Sequence, residues 1–350
     1  MQLPKTIIIG AGIVGATTAF RLANAGVPVL VLDENAPGSG VTAHSSGWVN
    51  WICGDPIADP EHYKRLQASF AHFAKLDADL HGALKLRPVG ALRWLATQTE
   101  TEAMIAAHEA AGSKVERVEG VRLRTMLSKL NELPPLAAYS RDDLALDARA
   151  LAIQLLETAK GYGAELRIGH SVDEIRIQND QVTGIRIGKD VLPADAVVMA
   201  AGIGSNTLLA PFGLADPVAS SPAVRINLAA SGLWPGATEL PIISGPGLEV
   251  QFRSADQIIM AKSVPASLND DPGAASKIGA MATKRLVEAF PGLRDVRLLS
   301  STVGARPFPT GSNPLLGPVQ GVSGLYTAIG HPGVILAPMM AQAITDIILH

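Results

Sequence analysis

Gly10, Gly12 and Gly15 form a GxGxxG turn between the apolar run of residues 5–10 (KTIIIG) and a segment of helical character beginning near Ile13. No other feature restricts the possible folds of this chain as strongly. The run is apolar and mostly β-branched, as expected of a parallel strand buried on both faces. Gly10 permits a sharp turn, Gly12 lets the backbone approach a pyrophosphate, and Gly15 lets the helix pack against the sheet. The free amides and positive dipole at the helix start, around Ile13 and Val14, favour an anion there. A second apolar run, residues 28–32 (PVLVL), delivers Asp33, with Glu34 beside it, to its end. A carboxylate at that point accepts hydrogen bonds from an adenosine ribose and repels a 2′-phosphate, so a dinucleotide is expected and NADP is disfavoured.

A chain of 350 residues exceeds one typical core, which makes two domains the expectation. The 29 basic and 32 acidic residues are interspersed, giving a formal charge of −3 and no basic face for nucleic acid or an anionic membrane. Cys53 is the only cysteine, which excludes an intramolecular disulfide and a cysteine-based zinc or iron–sulfur site. The eight histidines show no HExxH or similar spacing, so no metal is expected. The reducing cytoplasm is the simplest location, and no leader is expected because the first apolar run is already explained as a strand. Residues 325–349 are apolar enough to resemble a membrane span. Pro332, Gly333, Pro338, Gln342 and Asp346 interrupt them, so a buried strand, a turn and a core helix are expected instead.

Residues 34–54 form a Gly, Ser and Asn-rich loop too long for a routine connection, hence a functional loop. Helical periodicity follows over 59–82, a strand over 89–95, a helix over 100–111 and a mixed, charged stretch over 113–140. Asp147 reads as the cap of a helix ending at Gly161, with strands near 164–168, 171–178, 181–187 and 196–200. Residues 217–303 read as antiparallel sheet, with strands near 223–230, 248–253, 257–261 and 296–303 and a helix near 274–290. The last segment returns to strand and helix. A discontinuous nucleotide domain follows from that order.

Five segments then carry a resemblance. GAGIVG with Asp33, residues 42–47 (TAHSSG), 200–202 (AAG), 306–318 (RPFPTGSNPLLGP) and 330–338 (GHPGVILAP) occur in the order seen in the FAD-dependent D-amino-acid oxidase, glycine oxidase and sarcosine oxidase family, over nearly the whole chain. The resemblance implies FAD and an α/β fold. A Rossmann-like domain with a parallel sheet, made of residues 1–85, 141–215 and 304–350, would bind the flavin. An α+β substrate domain on a mixed, largely antiparallel sheet would comprise 86–140 and 216–303.

It also implies roles for residues. Thr42, His44, Ser45, Ser46 and Gly47 lie in the loop that crosses the pyrophosphate and flavin in similar proteins, and Val172, Ala201 and Gly202 fall in matching nucleotide-binding segments. Gly330, His331, Pro332, Gly333, Val334 and Ile335 lead into the C-terminal helix, whose amides can balance charge arriving on the flavin. His331 reads either as a group near the ring or as a turn histidine bonded to backbone. In one branch a histidine in a similar loop carries the flavin covalently; this chain has Ala43 where that branch has Trp, so noncovalent FAD is expected, with a His44 tether as the other option. The cysteine tether of monomeric sarcosine oxidase falls near the RP segment, where this chain has no cysteine.

Arg306 matches the carboxylate-binding arginine of glycine oxidase, and a guanidinium meets a carboxylate with two parallel charge-assisted bonds. An arginine in a structural ion pair is the alternative. For Arg225 and Arg253 the alternatives are the same cavity and the surface, the commoner fate of arginine. Gly311 and Ser312 replace the family's aspartate-glycine turn. His62 and His72 read as ordinary surface or interface residues on a helix. A strand alignment puts Ile259, not Lys262, where sarcosine oxidase has an oxygen-assisting lysine, which favours a dehydrogenase.

The expected reaction is oxidation of the CH–NH bond of a D-amino acid, glycine or N-alkyl amino acid by hydride transfer to flavin N5. The acceptor of the electrons would be oxygen, a quinone or a protein, and an oligomer is possible. An NAD-dependent Rossmann dehydrogenase and a flavin-binding subunit without its own turnover are the competing readings.

Overall fold

The computed structural model describes residues 3–84, 86–231, 233–311 and 313–350; Ser312, named above, lies outside them. A six-stranded sheet runs in the order Leu315–Pro318, Leu325–Ile329, Ala196–Met199, Thr6–Ile9, Val29–Asp33, Glu165–Ile168. Its strands are parallel except for the edge pair Leu315–Pro318 and Leu325–Ile329, which is antiparallel. Alternate residues of the central strands feed two different cores, because side chains in a strand point to opposite faces. Ile8, Val31 and Val198 pack under the helices Ile13–Asn24, Ala148–Gly161 and Gly333–Leu349. Ile7, Ile9, Leu30, Leu32, Val197 and Met199 pack on the other face, against Ile175, Val182 and Ile185 of a three-stranded antiparallel sheet. Burial on both sides explains why these strands lack the alternation of a half-exposed sheet.

The second large sheet has eight strands, ordered Arg294–Pro309, Val218–Ser231, Gln257–Ser263, Leu248–Phe252, Ile242–Gly245, Ala91–Arg93, Leu136–Ser140, Val115–Glu119. Pairing is antiparallel apart from the parallel contact between Ile242–Gly245 and Ala91–Arg93. The helix Ala274–Ala289 covers one face, and Val224, Ile226, Leu228, Val250, Ile258 and Phe290 build that core. The first two strands are longer than the sequence suggests. Pro307 and Pro309 are tolerated because Arg294–Pro309 is an edge strand, and Pro222 lies just beyond the pairing with Gln257–Ser263. A boundary at residue 304 therefore falls inside a continuous strand, and we propose to place it after Pro309.

Residues 34–54 contain a 3₁₀ turn, Val41–His44, and a short strand, Trp48–Val49, paired with Leu144–Ala145. Asp147 caps Ala148–Gly161, its carboxylate accepting from the Ala150 amide. The apolar tail resolves into the buried strand Leu325–Ile329 and the helix Gly333–Leu349, which packs on Ile13–Asn24 and Pro60–Asp79. Among the described residues no helix is long and apolar enough to cross a membrane.

Candidate active site

A cavity of about 1400 Å³ lies between the two large sheets. Single-ligand pockets are commonly roughly 300–1,000 Å³, so this one has room for a dinucleotide and a second molecule. One wall is made by the carboxyl ends of four parallel strands: Ile9 with Gly10, Leu32 with Asp33, Ala200 with Ala201 and Gly202, and Ile329 with Gly330. That is where open α/β sheets bind ligands.

The glycine turn is shaped for close backbone approach. Gly10 has φ +114°, and a Cβ there would sit 2.6 Å from the Ala200 carbonyl oxygen. A Cβ on Gly15 would lie 1.9 Å from the Gly10 carbonyl oxygen, so Gly15 is fixed by helix-to-strand packing and does not itself line the cavity. Asp33 accepts from the amides of Ala11 (2.7 Å) and Asn35 (2.8 Å), and the Ile13 amide donates to Thr42 Oγ1 (3.0 Å). The cavity-lining amides of Gly12 and Val14 have no partner among the described residues. Two free donors at the positive end of a helix, facing a cavity, are what a pyrophosphate requires. The residues present therefore fit an adenine dinucleotide, with Asp33, Glu34 and Val172 on the same wall.

The loop 42–47 is held from the other sheet. Arg225 Nη1 donates to the carbonyls of Ala43 (3.1 Å) and Ser45 (2.9 Å), and Arg253 Nη2 donates to those of Ser46 (2.7 Å) and Leu146 (2.8 Å). Neither arginine lines the cavity or is left on the surface; both are half-buried and fasten the loop. Thr42, His44, Ser45 and Ser46 line the cavity, whereas Gly47 is turned against Leu146, whose amide donates to the Gly47 carbonyl (2.9 Å). His44 Nδ1 hydrogen-bonds Thr302 Oγ1 at 2.9 Å, which leaves Nε2 as the unengaged ring nitrogen. Burial, assisted by Arg225, holds its imidazole below the usual range.

Two sequence segments that looked independent are joined at the C-terminal wall. Asn313 Nδ2 donates to the His331 carbonyl (2.6 Å) while its Oδ1 accepts from the His331 amide (3.0 Å). This clamp fixes the turn that presents His331, Pro332, Gly333, Val334 and Ile335 to the cavity at the start of the helix Gly333–Leu349. The His331 ring packs at a tilt of 32° against Phe308, 4.2 Å between centroids. Burial, with Arg306 and His62 nearby, pushes it down to about 3, so it is an uncharged wall residue.

Arg306 stands on the opposite wall. Its Nε donates to the Ser221 carbonyl (2.9 Å), and Nη2 donates to Ser221 Oγ (2.8 Å) and Ser263 Oγ (3.1 Å). No carboxylate lies within 4 Å among the described residues, so the structural ion pair is not formed. Nη1 is uncommitted, and a carboxylate using both terminal nitrogens must displace the Ser263 hydroxyl. Glu249, on Leu248–Phe252, three strands from Arg306 in the same sheet, lines the same cavity; burial pushes it up to about 7, against the pull of nearby Ser46, Arg93 and Arg306. Cys53 opens onto the cavity but is walled in by protein, which pushes its thiol up to about 12 and makes it an unreactive neutral group.

Two sequence expectations change here, those for His62 and for Lys262, while His72 stays an ordinary interface residue. His62 is half-buried and lines the cavity, its Nδ1 enclosed without a hydrogen bond, instead of lying on the surface. His72 is half-buried and lies away from the cavity. Lys262 lines the cavity, whereas Ile259 is buried between Asn227 and Gln251 of adjacent strands and does not, which removes the ground for favouring a dehydrogenase. Glu249 escaped the sequence reading because its only local signal is a lone acid in an apolar strand.

The comparisons agree with this geometry. The family described as FAD dependent oxidoreductase matches residues 5–347. The uncharacterized oxidoreductase YurR of Bacillus subtilis is 27% identical, covering 98% of this chain and 94% of its own. Glycine oxidase of Pseudomonas putida is 24% identical over 98% of this chain and 94% of its own. The solved structure of iminodiacetate oxidase from Chelativorans sp. superposes with a TM-score of 0.85 at 23% identity, over 98% of this chain and 95% of that one. The NAD-dependent reading falls, because the match extends far beyond the glycine turn that such enzymes share. A cradle for an adenine dinucleotide, a second sheet facing it and a family match over nearly the whole chain place this protein in the FAD-dependent oxidoreductase (DAO) family.

Proposed function

We propose that the protein oxidises the CH–NH bond of a small amino acid, with Arg306 binding the substrate carboxylate. The observation that carries this reading is Arg306 itself: a guanidinium without a carboxylate partner, lining the same cavity as the dinucleotide cradle. Relatives named for glycine and iminodiacetate oxidation act on molecules that combine an amine with a carboxylate, which agrees with it.

The residues divide the work. Gly12 and Val14 amides and the helix dipole would hold the pyrophosphate, Asp33 the ribose, and the 42–47 loop the central part of the dinucleotide. The turn at 330–335 would place helix-terminal amides beside the flavin, where arriving negative charge is stabilised. When bound, the flavin supplies the two-electron acceptor for the α-hydrogen. Arg306 fixes the carboxylate, so the α-carbon is held in one orientation, and the apolar walls of His331 and Pro332 limit water. The flavin is noncovalent in this reading, because Ala43 stands where the branch with the histidine tether has Trp; denaturation should release it, and flavin fluorescence retained on unfolded protein would show a tether.

An anaerobic screen of D-, L- and N-methyl amino acids against the yellow protein tests the reading. Bleaching of the flavin by at least one of them is expected. No bleaching by any would reject amino-acid oxidation and leave the chain a flavin-binding subunit.

A further inference from the structure

The carboxyl of Glu249 and the guanidinium of Arg306 line one cavity, yet neither touches an opposite charge. Arg306 spends its bonds on Ser221 and Ser263, and no lysine or arginine nitrogen lies within 4 Å of Glu249 among the described residues. Both are half-buried, and a partly desolvated charge with no opposite charge in contact carries a cost that a charged ligand relieves. Arg93, which also pulls on Glu249, is turned to Ser244 Oγ (3.0 Å) and Cys53 Sγ (3.4 Å). Two opposite charges on one sheet, lining one cavity without touching, are complementary to a ligand that carries both.

We propose that Glu249 and Arg306 together recognise a zwitterion: Arg306 takes the carboxylate, while Glu249 takes the ammonium and accepts its proton. This rests on the amino-acid reading above and adds a residue and a step to it. In that step an N–H bond of the ammonium breaks and an O–H bond forms on Glu249. The carboxylate becomes a neutral acid, and the nitrogen keeps the electron pair. That pair forms the carbon–nitrogen double bond as the α-hydrogen leaves with two electrons for the oxidised flavin. The position suits the task, because Glu249 lines the cavity together with Ser46, which belongs to the loop that would cross the dinucleotide. A carboxyl raised to about 7 is a better match to an alkylammonium than an ordinary glutamate, while remaining ionised in mildly alkaline solution.

Few other groups around it titrate in the same range. Arg93 and Arg306 lie near it and Lys262 lines the same cavity; the Cys53 thiol stays neutral at about 12, His331, at about 3, is uncharged, and His62 is lowered by burial. Asp143, behind Trp48, is raised to about 7 as well, so only a comparison of variants separates the two.

The test uses FAD-loaded protein and two probes: 2-aminoisobutyrate, which has no α-hydrogen and is not oxidised, and isobutyrate, which lacks the amine. Calorimetric titration at pH 8 should show the wild type preferring 2-aminoisobutyrate at least tenfold, and that preference should fall as pH drops below about 7. Glu249→Gln should lose the preference at every pH while binding isobutyrate no more weakly. Glu249→Asp, which keeps the charge, should retain part of it and serves as the comparison if the glutamine variant does not hold flavin. A preference that survives in Glu249→Gln, or is missing from the wild type, overturns the proposal. Anaerobic bleaching of the wild type by an amino acid, together with either of those results, rejects the Glu249 role alone; no bleaching by any amino acid rejects the parent reading and this one with it.

Discussion

Single residues in this protein are set by what they touch across the fold. Arg306 is placed by two serines from neighbouring strands, so its orientation survives without substrate. Arg306→Ala should retain FAD yet lose amino-acid-dependent flavin reduction by about 2–4 kcal/mol, the range for removing a buried charged contact; unchanged reduction kinetics in stopped flow would refute its assignment. Asp143 offers a test of stability. It is fully buried, accepts from Trp48 Nε1 (2.7 Å) and Ser140 Oγ, and burial raises it to about 7. Because the folded pKa lies above the unfolded one, the native state holds a proton that the unfolded chain releases between roughly pH 4 and 7. This contribution is fully present below that window and is lost as pH rises through about 7. Asp143→Asn keeps one acceptor for Trp48 Nε1, offers the Ser140 hydroxyl a donor as the protonated acid does, and cannot titrate, so it should gain on the wild type by about 1–4 kcal/mol from pH 4 to pH 8, read by urea unfolding. A constant difference across that range would show that Asp143 ionises normally.

At the scale of elements, local pattern and long-range contact contribute differently. The strand Thr6–Ile9, the glycine turn and the helix Ile13–Asn24 are legible from residues alone, since burial on both faces, φ freedom and helix start each leave a local mark. Gly15 shows how strict that mark is. Gly15→Ala would put a methyl group 1.9 Å from the Gly10 carbonyl oxygen, so the helix must shift; we expect a loss of about 1–3 kcal/mol in thermal or urea unfolding together with weaker FAD retention. Strand ends were less legible. Pro222, Pro307 and Pro309 look like breakers, yet each sits where no ladder bond is demanded of it. The Asn313 clamp on His331 left no trace either, because partners eighteen positions apart share no period. Asn313→Ala should cost about 1–3 kcal/mol by leaving the two backbone groups of His331 without their partner, measurable as a lower melting temperature of the FAD-loaded protein.

Across the whole molecule, the cavity exists because two sheets are fastened to each other around it. Arg225 and Arg253 reach from the eight-stranded sheet to carbonyls of the 42–47 loop, which in turn caps the first helix through Thr42. Replacing Arg225 by Met should weaken FAD binding about tenfold or more and lower stability by about 2–4 kcal/mol, as charge-assisted bonds to two carbonyls are lost. Proteolysis should then begin within residues 40–50; unaltered flavin affinity and cleavage pattern would mean that the loop holds its shape unaided.

The sequence by itself determined the dinucleotide cradle and the burial of the apolar tail, because each depends on neighbours in the chain or on a spacing a helix or strand imposes; Arg306 was named only through the family resemblance. Tertiary structure alone decided that Arg225 and Arg253 serve the loop, that His62 and Lys262 line the cavity, and that Glu249 lies in the same cavity as Arg306 without a contact partner. Those assignments depend on which strands become neighbours and which way each side chain leans, and contacts between residues far apart in the chain leave no periodic signal along it.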